Sequence, residues 1–166
     1  MIGLAPPKRI SFKQMVSQWQ RLPHQFQVNV WNFEVQVGKE AVSIFKKSFD
    51  LKRLNTSGST PWRPRKDSKP HPLLNETSSL KNSIKWRSIS DSIRSEGVQI
   101  YTDPREFMNP RHRSFCYAAV HNAPSGTYRY GRSGAPSIQR QYIGHSTVLE
   151  DKLDQLSATI FIGFPK

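Results

Sequence analysis

His24, His71, His112, His121 and His145 are the side chains best suited to move protons or ligate a metal near neutral pH. No two of them stand four residues apart, so no helical face presents a His pair to a metal. Cys116 is the single cysteine, so no thiolate pair for zinc and no intrachain disulfide can form. A catalytic thiol would need a base and a polar setting. Cys116 instead lies in Phe115-Cys116-Tyr117-Ala118-Ala119-Val120 and reads as a small buried hydrophobe. There is no Gly-x-Ser-x-Gly elbow and no Gly-Lys-Ser/Thr phosphate loop. Gly126-Thr127-Tyr128-Arg129-Tyr130-Gly131 neither follows a clear strand nor opens a helix. The sharpest enzymatic reading is a nuclease using His121 or His145 beside arginines. It lacks the clustered carboxylates that would hold a catalytic metal. The chain therefore reads as a non-enzyme, with no catalytic, cofactor-binding or metal-binding residue assigned and no cofactor expected. His121 reads as a hydrogen-bonded structural histidine at the end of a short helix.

The charge is more informative. Twenty-five Lys and Arg stand against 12 Asp and Glu, a net charge of +13. Such an excess points to a polyanionic or acidic partner rather than to a fold. Two regions concentrate it. Residues 51–72 hold four prolines, and Arg63, Arg65, Lys66 and Lys69 beside Trp62. This stretch has no helical or strand period, and its length suggests an arm that orders on a partner. Arg111, Arg113, Arg129, Arg132 and Arg140 lie further on, with Tyr128, Tyr130 and Tyr142. Basic residues among aromatics can grip phosphates and stack on bases, or meet an acidic protein, or simply be solvated. No DNA-reading motif is present, so DNA contact would be to the backbone and salt-sensitive. A membrane is not an expected partner, because the charge does not collect on one amphipathic helix and no apolar run approaches the ~20 residues of a span. The start, with Pro6 and Pro7, does not read as a secretory leader.

The elements that carry these residues can be read from period and punctuation. Apolar residues are 36% of the chain, so a modest core is expected, enlarged by 9 Phe, 4 Trp and 5 Tyr. Ser11 can cap a short helix over 11–22 with Phe12, Met15, Val16 and Trp19 at helical spacing, ended or offset by Pro23. Phe26, Val30, Phe33, Val37, Ala41, Ile44, Phe45 and Phe49 predict a long amphipathic helix over 25–49. Thr77 or Ser78 can cap a short helix carrying Leu80 and Ile84. Alternation over 84–90 and 93–101 predicts a β-hairpin turning at Ser95-Glu96-Gly97. Residues 115–122 suit a short helix. Residues 146–157 suit a last helix, with Ser146 as its cap and Val148, Leu149, Leu153 and Leu156 as its apolar face. The expected fold is α+β: a long N-terminal amphipathic helix and a C-terminal helix on a small antiparallel sheet, with a long extended arm. The expected division is a 1–24 extension with a short helix, one domain over 25–157 and a 158–166 tail.

Three blocks occur in a recognisable order: Pro72-Leu73-Leu74-Asn75-Glu76-Thr77-Ser78-Ser79-Leu80-Lys81-Asn82-Ser83-Ile84, then Tyr117-Ala118-Ala119-Val120-His121-Asn122, then Arg140-Gln141-Tyr142-Ile143-Gly144-His145-Ser146. In that order and spacing the chain resembles the phage virion morphogenesis proteins, the tail-completion and head–tail joining family, over about residues 25–157. Leu74, Leu80, Ile84, Tyr117, His121 and Gly144 carry the motif. The resemblance implies a structural virion protein of the head–tail junction or tail end, made in the host cytoplasm. It implies a homo-oligomeric ring, a hexamer or dodecamer, next to other neck and tail proteins, with DNA in its channel as a further possible contact. A ring needs one patch to meet a different patch on the next copy, which the 51–72 arm would suit. The alternative is a standalone basic nucleic-acid-binding protein, gripping the phosphate backbone as a monomer and weakened by loss of Arg63, Arg65, Arg129 and Arg132.

Overall fold

A computed structural model describes residues 11–64, 74, 78–91, 94–106, 117–130 and 134–164. The architecture is the α+β arrangement expected: a long N-terminal helix, a C-terminal helix and a small antiparallel sheet.

The first helix, α1, is longer than the periodicity suggested. It runs unbroken over Phe12–Leu51, 40 residues, or about 60 Å. Its start is a capping box: the Ser11 hydroxyl accepts from the Gln14 N–H, and the Gln14 side chain accepts from the Ser11 N–H. Pro23 neither ends nor offsets it, so the expected boundary near residue 24 falls inside a helix. A helical proline costs one hydrogen bond, here that to the Trp19 carbonyl. Pro23 and Trp19 both lie exposed, so water can take that carbonyl and the ladder resumes. The helix ends at Lys52, in the left-handed conformation, whose N–H bonds back to the Ser48 carbonyl.

Two short pieces follow: α2 (Ser79–Asn82), then the hairpin β1 (Ile84–Asp91) and β2 (Arg94–Thr102). Ile84 pairs with Thr102, and Asp91 pairs with Arg94. The turn therefore lies beyond Asp91, and Ser95-Glu96-Gly97 belongs to β2. The register shifts between Ser88, opposite Val98, and Ser90, opposite Ser95. This places one extra residue on β2, and Gly97 at φ +127° supplies the bulge. A glycine that reads as a turn is here a kink within a strand, because both need a backbone that side chains disfavour. One face of β1 lies on α1. Trp86 packs against Gly38, and the Ser88 hydroxyl donates to buried Glu34 at 2.9 Å.

The chain then passes through a 3₁₀ turn (Pro104–Glu106) and α3 (Tyr117–Asn122). A two-residue ladder follows, β3 (Arg129–Tyr130) with β4 (Ala135–Pro136). Ser146 caps α4 (Thr147–Ser157) as expected, accepting from the Leu149 N–H. No residue of α4 is fully buried. Leu149 packs on the core from the side, while Val148 stays about a third exposed, at 37%. The core is one cluster: Ala41, Ile44, Phe45, Phe49, Trp62, Leu80, Ile84, Ala118 and Tyr142. It gathers on the C-terminal half of α1.

The segment after α1 departs from the arm reading over its described part, to residue 64; residues 65–72 lie outside the described residues. It has no regular secondary structure to residue 64, yet it is packed. The Trp62 N–H bonds to the Lys52 carbonyl at 2.7 Å, and the Ser48 hydroxyl accepts the Asn55 N–H at 3.0 Å. Thr56 and Ser57 are tied to Thr147, and the Ser146 hydroxyl donates to the Asn55 carbonyl at 2.6 Å. Trp62 is only 8% exposed and is part of the core. Aperiodicity excludes helix and strand, but not burial. Ser, Thr and Asn side chains here satisfy the backbone groups that a ladder would otherwise satisfy.

Candidate assembly surface

The C-terminal half of α1 is covered and the N-terminal half is not. No residue of α1 before Asn29 is buried. Phe12, Val16, Trp19, Phe26, Val30, Val37, Ala41, Ile44 and Ser48 follow one another in steps of three, four or seven, so they share one face of one helix. From Ala41 onward that face is core. Towards the N-terminus it runs out past the folded body, and its side chains lie open. Phe12 is 75% exposed, Trp19 59% and Phe26 43%, with Met15 and Val16 also exposed. Clustered large apolar side chains on a soluble surface mark an interaction site more often than scattered single ones do.

The C-terminal end of the chain clasps this overhang at its base. A 3₁₀ turn, Ala158–Phe161, follows α4 directly and lies along α1. The buried Asn29 amide donates to the carbonyls of Ile160 (2.9 Å) and Ile162 (2.8 Å), while its oxygen accepts from the Gln25 amide at 2.8 Å. Phe164 meets Phe26 edge to face at 6.3 Å and Phe161 at 5.8 Å. Phe161 and Ile162 themselves remain more than half exposed. The tail thus extends the apolar patch rather than covering it. Sequence reading set residues 158–166 apart; the Asn29 amide joins 158–164 to α1.

The motif residues are brought together. Leu80 and Ile84 are buried, and Leu74, at φ +59°, packs against the same core. Tyr117 opens α3. Ala118 behind it is buried, and its carbonyl accepts the Tyr142 hydroxyl at 3.4 Å. The Asn122 side-chain oxygen accepts both the Tyr142 and Ile143 N–H groups at 3.2 Å. The His121 carbonyl accepts the Arg140 N–H at 2.8 Å, so His121 fastens the later loop through its backbone. Burial pushes the His121 imidazole down to about 4. The Arg140 guanidinium adds to that shift, against a hydrogen bond with the Ile138 backbone that favours the charged form. A side chain added at Gly144 would overlap the Gln141 amide, which itself donates to the Ile143 carbonyl. His145 is exposed, with its Nε2 2.8 Å from Glu150 at the start of α4.

Among the described residues, the predicted basic positions Arg63, Arg129 and Arg140 have separate roles. Arg140 is buried, and its Nε donates to the Arg63 carbonyl at 3.3 Å. It holds two loops together, which removes it from any set of exposed contacts. A guanidinium has five donors, enough to satisfy backbone carbonyls where no regular ladder can. Arg63 is exposed, and Arg129 is exposed with its Nη1 on the Gly134 carbonyl. Arg65, Lys66, Lys69, Arg111, Arg113, Arg132 and Cys116 lie outside the described residues. A basic groove that the sequence did not announce runs along the outer face of α1. It is lined by Lys39, Lys46, Lys47 and Lys81, with Asp50 bonded to Lys81 at 2.7 Å. Lys39, Ser43, Lys46 and Lys47 at helical spacing were its available signal.

Among the described residues, no three His, Cys, Asp or Glu side chains gather as a metal site. No described helix is long and apolar enough to cross a membrane. Comparison of the chain with protein-family models, with curated proteins and with solved structures finds no match.

Proposed function

We propose that this chain is a structural protein of a tailed phage or prophage, acting at the head–tail junction or the tail end by joining copies of itself into a ring. The single observation that carries the reading is the α1 overhang, with Phe12, Trp19 and Phe26 open to solvent on the same helical face that forms the core further along. A chain with few apolar residues leaves several of its largest substantially open to solvent. Such residues contribute free energy only when another surface covers them. The order of the Leu80–Ile84, Tyr117–Asn122 and Arg140–Gly144 blocks supports the placement in the virion, with assembly in the host cytoplasm beside other neck and tail proteins. The test is disruption of this reading frame in the phage that carries it, followed by electron microscopy of the particles. Separate heads and tails, or tails of uncontrolled length, are the expected result. Normal joined, infectious particles would refute the reading.

The Lys39, Lys46, Lys47 and Lys81 groove favours a second reading, a basic protein holding a nucleic-acid backbone on its own. Its mark is salt. Each phosphate contact contributes roughly one unit to the slope of log affinity on log salt. A binding constant for duplex DNA that ignores salt would exclude it.

A further inference from the structure

The overhang has the pattern of a helix-pairing seam. Phe12, Trp19 and Phe26 are seven residues apart, and Met15 and Leu22 fall between them in the a/d register of a heptad repeat. The flanking residues next to such a seam decide which helix can pair with it. Here they are Val16, Gln18, Pro23 and Gln25, and none is charged. Of the overhang's charges, Lys13 sits on an outer position and Arg21, also outside the a, d, e and g positions, lines a recess with Gln18, Leu22, Gln25 and Phe164. On a chain of net charge +13 an uncharged strip of this length is the surface on which like copies meet without repulsion. An acidic partner would find no basic residue along the seam.

The area fits the same occupant. The open parts of Phe12, Met15, Val16, Trp19 and Phe26 amount to roughly 400–500 Å² per copy, taking ~200 Å² for an aromatic side chain. Two copies joined along the seam would bury roughly 900 Å² of apolar surface. The glutamines at the rim bring the total to the ~1,200 Å² at which specific interfaces begin.

From this we infer that the α1 overhang binds the α1 overhang of a second copy, helix against helix along the Phe12–Trp19–Phe26 seam. This rests on the assembly reading above and names a pairing contact between copies; a ring would need a second, different patch besides it.

The test is the mass of the full chain by light scattering across a concentration series, for the native protein and for Trp19→Glu, Phe12→Glu and Trp19→Phe. The native chain and Trp19→Phe should form an oligomer of at least two 19.1 kDa copies. Both glutamate variants should raise the concentration at half-dissociation by about thirtyfold or more, as a truncated hot spot does. Their circular dichroism and unfolding midpoints, read at a concentration where all are monomeric, should match. Because Phe12 and Trp19 are separately exposed, a folding defect in one variant leaves the other to decide. A native chain that stays monomeric at ~100 μM would overturn the seam. So would an oligomer whose mass neither glutamate changes. Neither result decides the placement in the virion, which is tested separately and fails if the disrupted phage still makes joined particles.

Discussion

His121 offers a quantitative check on how the short-helix block is packed. The folded protein holds its imidazole neutral to about pH 4, while the unfolded chain takes up the proton near 6.5. Between those values the unfolded state binds more protons than the folded one. The stability contributed by the neutral imidazole is therefore complete above about pH 6.5 and is lost as pH falls towards 4. The full difference would approach 3 kcal/mol; between about pH 7.5 and about pH 5 the loss is about 2 kcal/mol. For a chain of this length that corresponds to a fall in Tm of roughly 4–8 °C. The Asp103 carboxyl is held below its usual range, chiefly by the Arg105 backbone N–H and then by the Arg105 guanidinium. Its contribution is therefore lost at pH values below this window. Urea unfolding followed by tryptophan fluorescence, at one fixed protein concentration, gives the measurement, with buried Trp62 as an internal reporter. His121→Gln keeps an amide donor for the Ile138 backbone but cannot titrate. Its stability should change about 2 kcal/mol less than the native chain's over the same window, whatever its absolute stability. A native profile flat to within about 0.5 kcal/mol, or a variant that falls equally, would refute the claim that burial governs this imidazole.

Three further perturbations probe the packing that positions the overhang. Gly38→Ala gains about 1 kcal/mol of helix propensity but drives a methyl into the Trp86 indole, so a net loss of about 1–2 kcal/mol is expected in urea. An unchanged or raised midpoint would mean the indole can move aside. Trp62→Ala should cost about 3–5 kcal/mol, and Trp62→Phe about 1–2 kcal/mol through the lost bond to the Gln141 carbonyl; an arm residue awaiting a neighbour would leave the monomer's stability unaltered. Asn29→Ala removes both bonds to the Ile160 and Ile162 carbonyls. Chymotrypsin should then cut after Phe161 or Phe164 several-fold faster, with little change in the global unfolding midpoint.

The sequence was legible where a repeating physical constraint acted on many residues. The 3–4 spacing of α1 from Phe26 to Phe49 spans six turns, and burial of Ala41, Ile44, Phe45 and Phe49 follows from it. The Ser146 cap was legible because its offset to Leu149 is local. What escaped depended on contacts distant in sequence. Trp62 stands alone in a proline-rich stretch, and nothing nearby reveals that the Phe49 ring and the Gln141 carbonyl will meet it. Arg140 read as a surface cation because arginine usually is one. Its burial rests on a carbonyl 77 residues earlier. Pro23 was given its local penalty, without the weight of a helix already nucleated on both sides. Gly38 raised no signal at all, since a glycine within a helical pattern reveals a close neighbour only once Trp86 is placed beside it.

These misreadings bear on where the assembly surface lies. Residues to 64 of the basic, aperiodic stretch were expected to reach a neighbour, yet its Trp62 completes the chain's own core. The helix expected to stop at Pro23 is the element that projects. Its first turns carry aromatic and β-branched residues and a proline, none of which favours an isolated helix. A helix this short beyond its body gains little from propensity alone. Two features hold it: the Ser11–Gln14 capping box at the tip and the Asn29 clasp at the base. Between them, contact with another surface would further stabilise Phe12, Met15 and Trp19. The residues that make this segment a poor solitary helix are the ones that make it a good interface, since large aromatic side chains bury the most area per residue and lose few rotamers in doing so. A stripe selected only for solubility would be polar at those positions. A stripe selected for this chain's own core would end where the core ends, near Ala41.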